Sequence, residues 1–267
     1  MSFKFLKYIL PAILFAGLPT LSFASGNLEP TDPVGITFWI ISIAMVAAAT
    51  FFFLESLRFE GKWRTSLVVG GLVCMVAAVH YFYMRDVWVS TGASPTVFRY
   101  VDWIITVPLQ MIEFYIILAA CTTIAMGVFW RLFIGSVIML VGGYLGEAGF
   151  INATLGFVIG MAGWIYILYE IFAGEAGKVS ASDAPEAVQS GFATMRWIVT
   201  IGWAIYPIGY FVGYMAGGAD ANSLNMIYNI ADVLNKIGFC LAIWAAADST
   251  AKAVSYTHLR AHETLPY

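Results

Sequence analysis

Five ionisable residues stand inside long apolar stretches of this chain: Arg99, Asp102 and Glu113 in one, Asp232 and Lys236 in another. A charge at the centre of a membrane helix costs about 3 kcal/mol, so five unpaired charges would cost on the order of 15 kcal/mol. They must pair, and ionisable groups kept at that cost are candidates for moving protons or ions. Asp232 and Lys236 are four apart and Arg99 and Asp102 three apart, so each pair shares one helix face. Asp102 and Glu113 are eleven apart. At ~100° and ~1.5 Å per residue they lie within about 20° of the same face, about 16 Å apart along the axis. A buried lysine between two carboxylates at different depths suits a proton relay, in which one acid accepts from the nitrogen and the other resupplies it from the opposite side. The alternative is a structural ion-pair cluster that knits two helices together, and spacing alone leaves both open.

The rest of the chain accounts for such residues being buried. Of 267 residues, 61% are hydrophobic and 11% charged, with mean hydropathy +0.83 and formal net charge -3. A soluble domain carries about 25% charged residues, so the composition is that of a membrane protein, with the lipid bilayer as its first partner. Thirteen Lys+Arg against 16 Asp+Glu offer no basic face for nucleic acid. Cys74, Cys121 and Cys240 each sit in an apolar run and read as small core residues. No metal-ligand spacing, nucleophile and base pair or phosphate-binding loop stands out, so neither a metal nor an enzymatic activity is expected.

A bilayer core of about 30 Å needs about 20 apolar residues per helix. Runs of that kind fall at Val34 to Leu54, Thr65 to Met84, Thr96 to Thr122, Trp130 to Leu145, Ile151 to Phe172, Phe192 to Ala216 and Ser223 to Ala247. The expected fold is an all-α membrane protein, a bundle of seven transmembrane helices. Lys4 and Lys7, the apolar stretch Tyr8 to Leu21, and Ser22-Phe23-Ala24 read as a signal peptide over residues 1–24. Residues 25–254 form the bundle, and 255–267, polar and holding two of the three histidines, read as a non-native or disordered tail. Cleavage puts the new N-terminus outside, and seven spans then leave the C-terminus in the cytoplasm. Arg58, Lys62, Arg64, Arg131, Lys178, Arg196 and Lys252 fall on the inner side, against Arg85 alone in an outer loop. That bias supports the same orientation. On it, Asp102 lies nearer the exterior and Glu113 nearer the cytoplasm.

The segment Arg99-Tyr100-Val101-Asp102-Trp103, continuing through Thr106-Val107-Pro108-Leu109-Gln110-Met111-Ile112-Glu113, resembles the third helix of microbial rhodopsins, and among them the proteorhodopsins. Gly202-Trp203-Ala204-Ile205-Tyr206-Pro207 and Asn229-Ile230-Ala231-Asp232-Val233-Leu234-Asn235-Lys236 match on the sixth and seventh helices, with His80-Tyr81 and Gly146-Glu147-Ala148-Gly149 besides. The resemblance runs to about Val254. It implies all-trans retinal held on Lys236 as a protonated Schiff base inside the bundle, with Asp102 as counterion and proton acceptor and Asp232 as second counterion. It further implies Glu113 as cytoplasmic proton donor and Arg99 as the balance to the counterions, giving a light-driven outward proton pump in a bacterial-type inner membrane. His80 would pair with Asp102, a role competing with that of an ordinary core histidine. Trp103, Trp203, Tyr206 and Pro207 would wall the retinal pocket.

Gln110 lies two turns beyond Asp102 and faces the same cavity, and in this family Gln there goes with blue absorption and Leu with green. Glu147 is either a proton-exit residue or a solvated acid in an outer loop. Phe157 takes the place where carotenoid-binding relatives carry Gly, so no carotenoid antenna is expected. Asn229 and Asn235 have no assigned role. Family resemblance suggests a homo-oligomer, pentamer or hexamer, with Trp39 and His80 near a subunit contact. A photosensor signalling to a partner is the alternative, disfavoured by the acid at Glu113; the Asp102, Thr106, Glu113 set is that of proton rather than sodium or chloride pumps.

Overall fold

The computed structural model describes residues 28–218 and 220–263, with side chains as far as Ala253. The expected signal peptide lies outside these residues. Seven helices are long and apolar enough to cross a membrane: α1 Pro33–Ser56, α2 Gly61–Thr91, α3 Thr96–Ala119, α4 Met126–Glu147, α5 Ala153–Ser182, α6 Glu186–Met215 and α7 Ala221–Ala253. No strand occurs among the described residues. The all-α seven-helix bundle read from the apolar runs is the architecture found.

Local chemistry sets the ends. Asp32 caps α1 by accepting from the Gly35 N–H at 2.9 Å, with Pro33 at the first position, where its missing N–H costs nothing. Asn152 caps α5 in the same way, accepting from Thr154 N–H at 2.9 Å. Asp220 caps α7, accepting from Ser223 N–H at 2.9 Å, a bond that holds its carboxyl below the usual carboxylate range. Gly92 ends α2 at φ 65°, a left-handed position that glycine takes without strain.

Three boundaries differ from expectation. α2 continues past Met84 to Thr91, so Arg85 is inside a helix and not in an outer loop. It is 8% exposed, pairs with Asp86 at 2.8 Å and lies 4.9 Å from the centre of the Trp39 ring, so its charge is accommodated without ending the helix. His80 lies about three turns before the end of α2 at Thr91. The glycine-interrupted fourth run forms an unbroken helix of 22 residues. The backbone of α7 stays helical to Glu263, into the segment read as a non-native or disordered tail, since neither Gly nor Pro interrupts Phe239–Glu263.

Each helix packs on its chain neighbours, and α7 closes the ring against α6, α1 and α2. Lipid is as apolar as the side chains, so close van der Waals approach has to hold the helices together. At α4 and α5 glycine supplies it: a Cβ on Gly156 would stand 2.6 Å from the Gly146 Cα. At the other end of this pair Arg131 grips Glu170 through two bonds, at 2.9 and 3.1 Å, and Glu175 at 2.8 Å. Apolar side chains such as Ile40, Ile201 and Ile208 cover the outer faces. Three helices are irregular: α5 is interrupted at Ala173 and Gly174, α6 has π-helical turns at Ile198–Gly202 and Phe211–Met215, and α7 has one at Val233–Gly238.

Candidate functional site

Lys236 sits in the π turn of α7, 2% exposed, and that turn follows directly on Asp232. Its ammonium donates to Asp102 Oδ2 of α3 at 2.6 Å and to Asp232 Oδ2 one turn away at 2.8 Å. Both carboxylates are buried, and neither charge could be held there without the lysine. Asp232 is further held by two hydroxyls, Tyr81 of α2 at 2.7 Å and Tyr206 of α6. Asp102 differs: its Oδ1 is buried with no hydrogen-bond partner. The two acids thus face one nitrogen with unequal support.

Towards the end where α1 begins, the core stays polar. Arg99 is 2% exposed and donates to Asn225 at 2.8 Å and Asn229 at 2.7 Å, while Phe38 and Tyr228 stand 5.4 and 5.5 Å from its guanidinium. Asn229 passes the link on to Thr37 at 3.0 Å. Arg99 is bonded to the two amides and reaches the counterions through its field. Glu147 is the last residue of α4 and half-buried, not in a loop, with Tyr100 and Tyr214 near its carboxylate. His80 is half-buried; its Nδ1 is 2.9 Å from the Val76 carbonyl of its own helix, and the expected pairing with Asp102 is not among the hydrogen bonds of the described residues.

Towards the opposite end the core is dry. Glu113, 1% exposed, accepts from the Ser66 hydroxyl of α2, and its Oε1 has no partner. Beside it Phe114 packs edge-on against Phe192 of α6 at 4.9 Å and Phe239 of α7 at 5.7 Å. Cys240 gives its thiol to the Gly70 carbonyl at 3.7 Å and is fully buried, as is Cys74, in keeping with the reading of both as core residues.

Between these regions lies a partly open cavity bounded by Trp103, Trp164, Trp203, Tyr206 and Pro207, by Phe157, and by Lys236 itself. Trp103 and Tyr206 meet edge-on, 5.1 Å apart. Gln110 lines the cavity and donates to the Asn235 carbonyl at 2.5 Å. An apolar, aromatic-walled space that ends on a buried lysine fits an apolar polyene aldehyde.

Lys236, Asp102, Asp232, Trp103, Gln110, Trp203, Tyr206 and Pro207 are brought together around the cavity, while Glu113, Arg99 and His80 stand apart from it. Sequence reading missed Tyr81, Ser66 and Asn225 as members of the site and left Asn229 and Asn235 without function. One signal was available: Asn225, Asn229, Asp232 and Lys236 follow the three-and-four spacing of a single face on an otherwise apolar helix.

The chain matches the family described as bacteriorhodopsin-like protein over residues 32–250. It is 52% identical to a green-light absorbing proteorhodopsin of Gamma-proteobacterium EBAC31A08, over 86% of this chain and 92% of the relative. It is 51% identical to a blue-light absorbing proteorhodopsin of Gamma-proteobacterium Hot 75m4, again over 86% and 92%. The crystal structure of the blue light-absorbing proteorhodopsin from Med12 superposes with a TM-score of 0.70 at 51% identity, covering 81% of this chain and 98% of that one.

Proposed function

The chain belongs to the bacteriorhodopsin-like family, and from that premise we propose that it is a light-driven outward proton pump of the proteorhodopsin type. The observation that carries this reading is the buried Lys236, shared between Asp102 and Asp232 and opening on an aromatic cavity, with a separate protonatable Glu113 beyond it. All-trans retinal bound to Lys236 would occupy the cavity walled by Trp103, Trp203, Tyr206 and Pro207, and would supply the absorption of light and the change of shape that follows it. The remaining steps belong to the protein.

Asp102 takes the proton of the Lys236 nitrogen: it is the nearer acid at 2.6 Å, and it lacks the two tyrosine hydroxyls that hold Asp232. Asp232 stays ionised as the fixed counterion, because the Tyr81 and Tyr206 hydroxyls already stabilise its negative form. Arg99, on the amides of Asn225 and Asn229, sets the potential below the two acids, and His80 acts on Asp102 from α2. Glu113 returns a proton to the nitrogen from the other side, and the phenylalanines around it keep water from short-circuiting that return. With the N-terminus outside and the C-terminus in the cytoplasm, each turnover exports one proton across a bacterial-type inner membrane. Gln110 places an amide dipole against the cavity, which supports blue rather than green absorption. A homo-oligomeric assembly, pentamer or hexamer, completes the reading.

The test is reconstitution. Adding all-trans retinal to membranes that hold the protein should produce a visible absorption band, and Lys236→Ala should abolish it. A band of equal strength in Lys236→Ala would overturn the assignment of the attachment site.

A further inference from the structure

Two π turns meet next to Lys236. The one in α6, Ile198–Gly202, ends on Gly202, and the one in α7, Val233–Gly238, contains Asn235 and Lys236. A π turn shifts the backbone ladder by one residue and leaves carbonyls in need of donors. Asn235, 2% exposed, supplies one: its Nδ2 donates to the Gly202 carbonyl at 3.0 Å and to the Tyr206 hydroxyl at 3.0 Å. Its own carbonyl accepts from Gln110 of α3 at 2.5 Å. The residue before the lysine is therefore tied to α6 by its side chain and to α3 by its backbone. A Cβ at Gly202 would stand 2.0 Å from Asn235 Oδ1, so a side chain there displaces the Asn235 amide from its bonds.

Beyond Gly202 the helix is interrupted at Trp203 and Ala204 before it resumes at Ile205. A helix broken at one point bends there at low cost. A displacement of the Lys236 backbone moves Asn235, and Asn235 pulls on α6 at its weakest point. The part of α6 that follows carries Tyr206 and Pro207, and the part before carries Phe192 of the dry cluster beside Glu113. We infer that Asn235 and Gly202 form a latch that couples the Lys236 segment of α7 to α6, which makes Asn235 a positioning residue for proton return from Glu113. This rests on the proposed function; the contact itself can be tested apart from it.

The experiment is a double-mutant cycle on Gly202→Ala and Asn235→Ala in the full chain, with two readouts. In the retinal-free protein, Gly202→Ala should lower the unfolding temperature when Asn235 is present and have much less effect in the Asn235→Ala background, where the clash is gone. In the pigment, each single variant should keep its visible band but lengthen the recovery of absorbance after a flash by roughly twofold to tenfold, the range expected for one lost hydrogen bond. The double variant should recover no more slowly than the slower single. If Gly202→Ala does not accumulate, its rescue by Asn235→Ala is the suppression expected, and failure of both overturns the latch. Additive effects on unfolding and on recovery would also overturn it. A wild-type chain that takes up no retinal would remove the proposed function and the coupling role together, whereas a pumping wild type with additive cycles would remove the latch alone.

Discussion

The two halves of the bundle on either side of Lys236 are built from different chemistry. Towards the end where α1 begins, Asp102, Asp232, Tyr81, Tyr206, Arg99, Asn225, Asn229 and Glu147 form a nearly continuous run of polar groups from the lysine to the end of α4. Towards the opposite end, one carboxyl, Glu113, has one hydroxyl, Ser66, and its neighbour Phe114 packs against Phe192 and Phe239. A charge created in the polar half can spread over many dipoles, whereas the apolar half offers a charge almost nothing. In the proposed pump a proton leaving Lys236 passes into the polar half, and the apolar half supplies one from Glu113. In that reading the asymmetry of the environments, more than the identity of any single residue, gives the transport its direction.

Removing one member from each half breaks this comparison in different ways. Asp102→Asn takes away the acceptor but leaves Asp232 to hold the lysine charge, so the protein should keep a coloured pigment and lose proton export entirely; pH recording during illumination checks it. Glu113→Gln removes the donor and should leave export in place but slow. Loss of a positioned acid costs typically 10²–10⁴-fold, so absorbance recovery after a flash should lengthen by at least about 100-fold. With the donor gone the proton must come from the bulk, and recovery should slow about tenfold for each unit that pH rises, because the rate then follows proton concentration. The wild type, supplied internally, should show a much flatter dependence over the same range. The smallest effect belongs to Gln110→Leu, on the cavity wall between the halves: pumping should persist while the absorption band moves to longer wavelength. An unmoved band would refute the tuning role of that amide.

Much of this architecture is legible in the amino-acid sequence, for identifiable reasons. Seven helices follow from apolar run length, because a bilayer imposes a fixed span. Lys236 between two acids follows from helical spacing and the cost of burying charge. What the sequence hides lies in partners from distant segments. Arg85 looks like a loop charge until Trp39, far away in sequence, lies against it. Glu147 looks solvated until Tyr100 and Tyr214 are placed around it. The three π turns carry no sequence mark, yet one of them holds Lys236 and another brings Gly202 against Asn235. Ser66 cannot be told from any helical serine that bonds its own backbone, as Ser42 does to Phe38 at 2.8 Å.

The central claim, an outward path from an inner acid through Lys236 to Asp102, is tested most directly by the pH of a suspension of cells expressing the chain with added all-trans retinal. Illumination should acidify the medium, and a protonophore should abolish the change. A coloured protein that leaves the medium unchanged, or makes it alkaline, would contradict the account.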